Sequence, residues 1–327
     1  MTELFTMEFP AESIKITKLF DSKDQLDEIR ENSPEKAVPP KVKEVYGDVY
    51  FPEPPKDRPY TYGCLVFSME GKIGFPDSPQ GPLIARQNFL DGEGALADFW
   101  VLNMCRAYAD AAIMGAGTLQ AEDDVTCHVF DNELAEQRIN HLNKNSIAPV
   151  NIVVSFDGTD IPLEHILWSV EALDKWIGTS PKGAQYLAEN FKKPHKVFGP
   201  YATFDDIDIE NIINTIRESK DIIPIFATGT GDKPDSKVLL KILRELGIKR
   251  CIVESPSYIW HLLKNEDLDE GFFDYSGIFV GGTISMGNSN PFDSNVHPHA
   301  EILSVGIHRN NFLYTRQRFK YNVTKAE

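Results

Sequence analysis

The segment Ala109-Asp110-Ala111-Ala112-Ile113-Met114-Gly115-Ala116-Gly117-Thr118 gives the first indication of the fold. Residues Ala111 to Met114 are apolar and predict a short buried strand, and the two glycines that flank Ala116 predict a tight turn after it. Glycines at the end of a strand let a ligand approach the backbone closely, and ligands of open α/β sheets bind at that end. A single Gly-x-Gly is equally compatible with a strand-to-helix turn that holds no ligand.

Strands and helices alternate along most of the chain. We predict strands over residues 60–67, 111–114, 150–155, 175–179, 196–198, 222–227, 250–254 and 275–280, and helices over residues 24–36, 95–108, 131–144, 181–191, 205–219, 238–246 and 258–264. Segments 302–308 and 312–320 predict an antiparallel hairpin around Asn310 and Asn311. This order favours an α/β fold with a largely parallel sheet, a mixed edge and helices on the faces of the sheet.

Length, charge and cysteine content narrow the class of protein. A chain of 327 residues can form one large domain or two small ones. Its net charge of −16 disfavours a nucleic-acid backbone or an anionic membrane as a partner. The acidic N-terminus and the lack of a long apolar run are not typical of a signal peptide or a membrane span. The four cysteines are scattered without ligand-like spacing, so we expect a cytoplasmic protein with reduced cysteines and no metal centre.

The first 58 residues differ in composition from the rest of the chain. Prolines at positions 39, 40, 52, 54 and 55 lie among apolar residues that are able to pack, including Val42, Val45 and Phe51. We predict that residues 1–58 form an extension that lies on the main domain, residues 59–327, or on a second subunit. A loosely ordered leader is the alternative.

The order of several short motifs resembles the reductase domain of riboflavin biosynthesis, which is the C-terminal half of the bifunctional deaminase/reductase RibD. The resemblance begins at Ser68-Met69-Glu70-Gly71-Lys72-Ile73 and continues through a helix with Arg106 and the segment 111–118, which Asp123 follows. Later motifs appear in the same order, at residues 153–162, 235–240, 247–254 and 281–282. The match covers about residues 59–320, and the zinc-deaminase motifs of the other half are absent.

The resemblance implies a fold, a cofactor and a reaction. It implies a dihydrofolate-reductase-like, three-layer α/β fold in a homodimer that binds NADPH, with NADH as the open alternative. The family reaction reduces the ribosylamino chain of a phosphorylated pyrimidine by hydride transfer to an open-chain imine carbon, and a nicotinamide carries that hydride. A non-catalytic relative that binds a nucleotide or a flavin-pathway ligand is the alternative function.

The resemblance also assigns site residues, which fall into three groups. The implied catalytic residues are Lys72, Asp123 and Glu254. The implied cofactor-binding residues are Gly115, Gly117, Thr118, Ser155, Ser255, Gly281 and Gly282, and the implied substrate-binding residues are Ser68, Glu70, Arg86 and Arg106. Taken alone, Lys72 is also compatible with a solvated turn and Asp123 with the first turn of a helix. Glu254 ends a buried strand, where a carboxylate is costly unless it is paired.

This chain departs from the family pattern at three places. Glu70 stands where the family has Asp, and Ser255-Pro256 stands where the family has two glycines. Beside Ser155, the residues Phe156 and Asp157 do not favour the 2′-phosphate that distinguishes NADPH from NADH. We predict that Ser255 caps the helix over 258–264 and that the Ser255–Pro256 peptide bond is cis.

Overall fold

The computed structural model describes residues 4–219, 221–287 and 289–324, and one large sheet runs through them. The strands lie in the order β1-β10-β11-β9-β2-β8-β3-β4-β5-β7-β6. Their bounds are β1 Thr17–Asp21, β2 Tyr60–Ser68, β3 Ala111–Gly115, β4 Val150–Val154, β5 Lys175–Thr179, β6 His195–Tyr201, β7 Ile223–Thr228, β8 Arg250–Val253, β9 Glu270–Ser276, β10 His299–His308 and β11 Phe312–Lys320.

The strands from β9 to β6 in this order are parallel, whereas β11, β10 and β1 continue the sheet with antiparallel pairing. In the centre, Ile113 of β3 pairs with Ile152 of β4 on one side and with Val253 of β8 on the other. These short strands are apolar because both of their faces are covered, as is usual for parallel strands. Their carboxyl ends therefore meet at one edge of the sheet.

Helices cover both faces of the sheet and give three layers. Their bounds are α1 Ala11–Ile14, α2 Lys23–Glu31, α3 Pro40–Val45, α4 Leu83–Arg86, α5 Gly94–Tyr108, α6 Ala116–Ala121, α7 Asn132–Asn140, α8 Pro181–Asn190, α9 Ile209–Glu218, α10 Ser236–Glu245 and α11 Pro256–Lys264. One hydrophobic core includes Trp100 of α5 and Leu187 of α8, and the other includes Leu243 of α10 and Leu262 of α11.

The N-terminal residues pack into the same core as the rest of the chain. Strand β1 pairs with β10 and extends the sheet by one strand. The ring of Phe51 lies 4.8 Å from that of Tyr62 and 5.2 Å from that of Tyr108, measured between centroids. Because Phe51 is fully buried, the proline-rich segment packs against later residues of its own chain.

Two of the elements that differ from their predicted form contain buried charged residues. Strand β9 begins at Glu270, five residues before the predicted strand, because its buried acidic residues Glu270 and Asp274 interrupt the apolar pattern. The sequence of helix α7 is mostly polar, which is typical of a solvated helix. Its Arg138 is instead buried and donates hydrogen bonds to the carbonyl oxygens of Arg106, Ala107 and Ala109, which satisfies the end of α5.

In the part of the chain that the structure describes, no helix has both the length and the apolar character that crossing a bilayer requires.

Candidate active site at the carboxyl edge of the sheet

A cleft of about 1390 Å³ runs along the carboxyl ends of the parallel strands. Its floor includes Val66 of β2, Gly115 of β3 and Val154 of β4, with Gly178 of β5 and Thr228 of β7 at the far end. Open α/β sheets bind their ligands at this edge, where the chain leaves each strand for a helix or loop. The cleft is therefore the first candidate for a functional site.

The predicted glycine turn after β3 lies on the wall of the cleft. A Cβ atom on Gly115 would stand 2.8 Å from the Oγ atom of Ser255, so this glycine lets the end of β3 pack against the start of α11. A Cβ atom on Gly117 would meet no atom within 4 Å. Gly115, Gly117 and Thr118 all line the cleft, and Gly117 leaves open space in it for a ligand.

Ser255 is the N-cap of α11, as predicted from the sequence. Its Oγ atom accepts a hydrogen bond from the backbone amide of Tyr258 at 3.4 Å, and Pro256 occupies the first helical position. The prediction of a cis Ser255–Pro256 bond is wrong, since Gly199–Pro200 is the cis bond found among the described residues. A trans bond leads the chain directly from β8 into a helix whose first residue is proline.

Glu254 and Arg106 form a buried ion pair in the wall of the cleft. The Nε and Nη2 atoms of Arg106 lie 2.7 Å and 2.6 Å from the two carboxylate oxygens of Glu254. The Sγ atom of Cys127 lies 3.5 Å from the same carboxylate, and burial together with the charge of Glu254 raises the pKa of this thiol. Although burial opposes it, the charge of Glu254 also raises the pKa of Arg106. The two side chains therefore face one another as a bidentate ion pair in the wall of the cleft.

The acidic run after α6 places two of its three side chains in the cleft. Glu122 and Asp124 line the cleft, whereas Asp123 is exposed and borders a shallow neighbouring depression. Burial raises the pKa of Glu122, and the charge of Arg106 acts in the opposite direction. Sequence reasoning selected Asp123 and missed Glu122. The end of the helix could have identified Glu122. The backbone is extended where α6 ends, and successive side chains of an extended chain point to opposite sides. Glu122 and Asp124 therefore share the side that lines the cleft, and Asp123 lies on the other.

Several predicted residues lie beside the cleft but do not line it. Ser68 and Lys72 close a turn in which the Lys72 amide donates to the Ser68 Oγ atom at 2.9 Å. Glu70 accepts hydrogen bonds at 2.6 Å from the amides of Val280 and Gly281. Burial acts against it, but these bonds and the Ser68 hydroxyl lower the pKa of Glu70 to about 2. Through these hydrogen bonds Glu70 links the loop that follows β2 to the loop that follows β9.

Gly282, the second residue of the predicted glycine pair, also lies outside the wall of the cleft. A Cβ atom there would stand 2.7 Å from the Cγ atom of Pro76, so Gly282 permits a close contact between loops. Ile73 and Ile284 line the cleft instead, and the Ile73 amide donates to the Ile284 carbonyl at 3.1 Å. The structure thus brings the two loops together without bringing Lys72 or the glycine pair to the cleft.

The end of β4 is acidic. The Ser155 hydroxyl donates a hydrogen bond to the Asp160 carboxylate and accepts one from the Gly158 amide at 2.9 Å. Ser155, Asp160 and the exposed ring of Phe156 all line the cleft. The hydroxyl that was predicted to contact a cofactor is therefore already paired with a carboxylate.

The opposite end of the cleft lies between α4, α5 and the N-terminal segment. Arg86 is exposed there, lines the cleft and forms no ion pair with any described residue. On α5, the side chains of Asp98, Leu102 and Arg106 share one face because they are four residues apart, and all three line the cleft. Phe5 lines the same end, and its carbonyl oxygen lies 2.7 Å from the His128 Nε2 atom.

Comparison with known proteins places the chain in a family. The RibD C-terminal domain family matches residues 85–305. No curated protein sequence matches the chain.

Solved structures share the fold at low identity. A pyrimidine reductase-like protein from Corynebacterium diphtheriae is 14% identical, with 86% of this chain and 98% of that chain covered and a TM-score of 0.54. A diaminohydroxyphosphoribosylaminopyrimidine deaminase/5-amino-6-(5-phosphoribosylamino)uracil reductase from Thermotoga maritima is 16% identical, with 85% and 59% covered and a TM-score of 0.52. RibD from Acinetobacter baumannii is 15% identical, with 81% and 58% covered and a TM-score of 0.51.

The chain thus spans less than two thirds of the Thermotoga and Acinetobacter proteins and nearly all of the Corynebacterium protein. Together with the parallel sheet and its antiparallel C-terminal hairpin, these likenesses confirm the predicted dihydrofolate-reductase-like α/β fold. The match over residues 85–305 also confirms the family resemblance predicted from the sequence, and the chain belongs to the RibD C-terminal domain family.

Proposed function

We propose that this protein is a nicotinamide-dependent reductase of the pyrimidine-reductase class, which transfers hydride to the open-chain imine carbon of a phosphorylated ribosylaminopyrimidine. The observation that carries the proposal is the single cleft along the carboxyl edge of the sheet. It joins the glycine turn at Gly115 and Gly117 to the acidic residue Glu122 and the cation Arg86. Family membership supports a reductase. A homodimer, as the family resemblance implies, is part of this proposal.

The glycine turn fits a nicotinamide cofactor. Gly117 leaves open space beside the backbone, and Thr118 offers a hydroxyl at the wall of the cleft. When bound, such a cofactor supplies the hydride, while the protein supplies position and charge. In this proposal Gly115, Gly117, Thr118 and Ser255 hold it.

The acidic end of β4 fits an adenosine ribose better than a 2′-phosphate. Ser155 already donates to Asp160, and a phosphate placed there would meet a carboxylate instead of a cation. A carboxylate accepts hydrogen bonds from ribose hydroxyls and repels a phosphate. The predicted cofactor was NADPH, with NADH left open, and we propose that the chain accepts NADH at least as well.

At the reacting centre we assign the proton donor to Glu122. Since its pKa is raised, this carboxyl retains its proton to a higher pH than an exposed glutamate, and it can protonate a substrate nitrogen. The ion pair of Glu254 with Arg106 keeps a fixed dipole beside the developing positive charge. Arg86, at the mouth of the cleft, is placed to bind the substrate phosphate.

The test is oxidation of reduced nicotinamide in the presence of the ribosylaminopyrimidine phosphate, followed by absorbance. We expect turnover with NADH and NADPH in the wild-type chain and a strong loss in Glu122→Gln. Absence of any hydride transfer, combined with a thermal shift from either cofactor, would favour the alternative of a non-catalytic relative. Two observations support that alternative. Lys72 and Asp123 lie outside the cleft, and the charge of Glu254 is neutralised by Arg106.

A further inference from the structure

The N-terminal segment, residues 4–9, forms part of the wall of the cleft at the end where Arg86 lies. Three of its residues, Leu4, Phe5 and Met7, line the cleft there. The family match begins only at residue 85, so these three residues belong to a part of the chain that lies outside it. One wall of the cleft is therefore built by a segment that the family domain does not include.

Hydrogen bonds fix the backbone of this segment. The Met7 amide donates to the carbonyl oxygen of Phe130 at 2.7 Å, and the Met7 carbonyl oxygen accepts from the Asn132 amide at 3.1 Å. Two residues later Phe9 is buried, and its carbonyl oxygen accepts a hydrogen bond from the Nζ atom of Lys41 at 2.8 Å. The place of the segment in the wall of the cleft is therefore set by hydrogen bonds within its own chain.

His128 holds the residue that reaches farthest into the cleft. Because a backbone carbonyl can only accept, the His128 Nε2 atom carries a proton and donates it to the Phe5 carbonyl oxygen at 2.7 Å. The His128 Nδ1 atom lies 2.9 Å from the Thr126 hydroxyl, which donates to it. Burial lowers the pKa of His128 to about 4 against the effect of the Phe5 carbonyl, and the charge of Arg106 lowers it further. The imidazole is therefore neutral at pH 7, in the one tautomer that both contacts require.

The side chain of Phe5 is 68% exposed although its backbone is held in place. Phe99 and Phe130 line the same end of the cleft, with ring centroids 5.1 Å apart, and Arg86 supplies a cation there. Exposed aromatic surface in a concave site is characteristic of ligand binding, and aromatic side chains stack favourably on flat rings. This end of the cleft therefore suits a ligand that combines a flat ring with an anionic group.

We propose that Phe5 is a specificity-determining residue, which stacks on the heterocyclic ring of a phosphorylated substrate, and that His128 is its positioning residue. Stacking on an aromatic side chain stabilises any flat ring, whatever hydrogen-bonding groups the ring carries. Phe5 therefore distinguishes sugar phosphates that bear a ring from those that do not. The proposal rests on the proposed function for the choice of a pyrimidine. It concerns binding alone and requires neither cofactor nor turnover.

The test compares uridine 5′-monophosphate with ribose 5-phosphate, which has the same sugar and phosphate but lacks the ring. We expect the full chain to bind the first probe at least about tenfold more tightly in calorimetric titrations or ligand-observed NMR. Phe5→Ala should weaken binding of uridine 5′-monophosphate by about tenfold and leave binding of ribose 5-phosphate unchanged, whereas Phe5→Tyr should retain the parent's preference. Equal affinity of the parent for both probes, or an unaltered preference in Phe5→Ala, would overturn the proposal.

Two variants of His128 separate positioning from stability. His128→Phe retains an aromatic ring against Phe130 but removes the donor to the Phe5 carbonyl, so it should reduce the preference for uridine 5′-monophosphate. His128→Gln supplies an amide N–H in place of the Nε2 donor and should restore it. In the double variant of Phe5→Ala with His128→Phe, the loss should not exceed that of Phe5→Ala, because His128 acts through Phe5. A purely structural His128 would lower the unfolding temperature and leave the preference in place, which would contradict its assigned role.

The matched control is Phe204→Ala, which removes an exposed phenylalanine beyond the edge strand β6 and should bind both probes as the parent does. If a second copy of the chain covers Phe5 instead, Phe5→Ala would change the oligomeric state in sedimentation and leave the preference unaltered, which would also overturn the proposal. If His128→Phe fails to fold, Phe5→Ala and Phe5→Tyr still decide the contact. Because these titrations contain no nicotinamide, they can succeed when hydride transfer fails and fail when it succeeds.

Discussion

Arg106 and Glu254 join helix α5 to the end of strand β8 through two hydrogen bonds of 2.7 Å and 2.6 Å, in a position where both side chains are almost completely buried. The carboxylate at the end of β8 is therefore not a free charge in the cleft. It is paired with the guanidinium of Arg106, which also donates a hydrogen bond to the carbonyl oxygen of His128 at 3.2 Å.

Removal of one member of this pair should destabilise the protein. In Glu254→Gln the buried charge of Arg106 loses its partner, and we expect a loss of about 3 kcal/mol in the free energy of unfolding, measured by urea denaturation. The control is Glu245→Gln, which breaks the more exposed pair with Lys241 and should cost about 0.5 kcal/mol or less. Similar losses in the two variants would show that the pair at Arg106 is weak.

The acidic run after α6 gives a direct comparison between two neighbouring residues. Glu122→Gln should lower turnover by a factor of about 10² or more, because the carboxyl with the raised pKa faces the cleft. Asp123→Asn should have the smaller effect. Activity that depends on protonated Glu122 is present below its raised pKa and declines as the pH rises through it. A larger loss in Asp123→Asn would restore the assignment made from the sequence.

The acidic end of β4 predicts the cofactor preference. We expect NADH to bind at least as tightly as NADPH in the wild-type chain. The Ser155 hydroxyl already donates its one hydrogen bond to Asp160, so it cannot donate to a phosphate. Asp160→Asn removes that charge and should shift the ratio of dissociation constants toward NADPH by about tenfold. Fluorescence titration with both cofactors measures the ratio, and Asp174→Asn, an exposed aspartate on another loop, serves as the control. Much tighter binding of NADPH by the parent would refute this view of the site.

The contact between Gly115 and Ser255 predicts a coupled pair of substitutions. Gly115→Ala should destabilise the protein, because its Cβ atom would lie 2.8 Å from the Ser255 Oγ atom. Ser255→Gly removes that atom, and Gly at an N-cap costs only a few tenths of a kcal/mol. In the double variant we expect most of the loss to be recovered, as measured in a double-mutant cycle. Additive losses would mean that Ser255 is not the obstacle.

Much of the architecture could be predicted from the sequence. Burial accounts for the short apolar runs at β3 and β8. Helix capping accounts for the serine or aspartate that precedes α8, α10 and α11. Strand β9 was misplaced because Asp274 and Glu270 are buried acidic residues, which are unusual inside a sheet. Arg316, which neutralises Glu270, lies 46 positions farther along the chain.

The candidate site was predicted less well. The glycine turn and Glu254 were found because their residue types restrict what the backbone and the interior accept. Asp98 lies on the face of α5 that also carries Leu102 and Arg106, and nothing in the local sequence shows that this face lines the cleft. Lys72 and Gly281 were assigned by resemblance, but the loops that carry them fold against one another beside the cleft.

The pairing of β1 with β10 means that the family domain and the cooperative folding unit do not share boundaries. The family match begins at residue 85 in α4 and ends at residue 305 inside β10. A fragment excised at those positions would divide β10 and would deprive β9 of both its neighbours, β2 and β11. Fusion proteins, truncations and deletion variants that use such bounds would therefore contain an incomplete sheet. Insertions belong instead at exposed loops, outside the strand ladder.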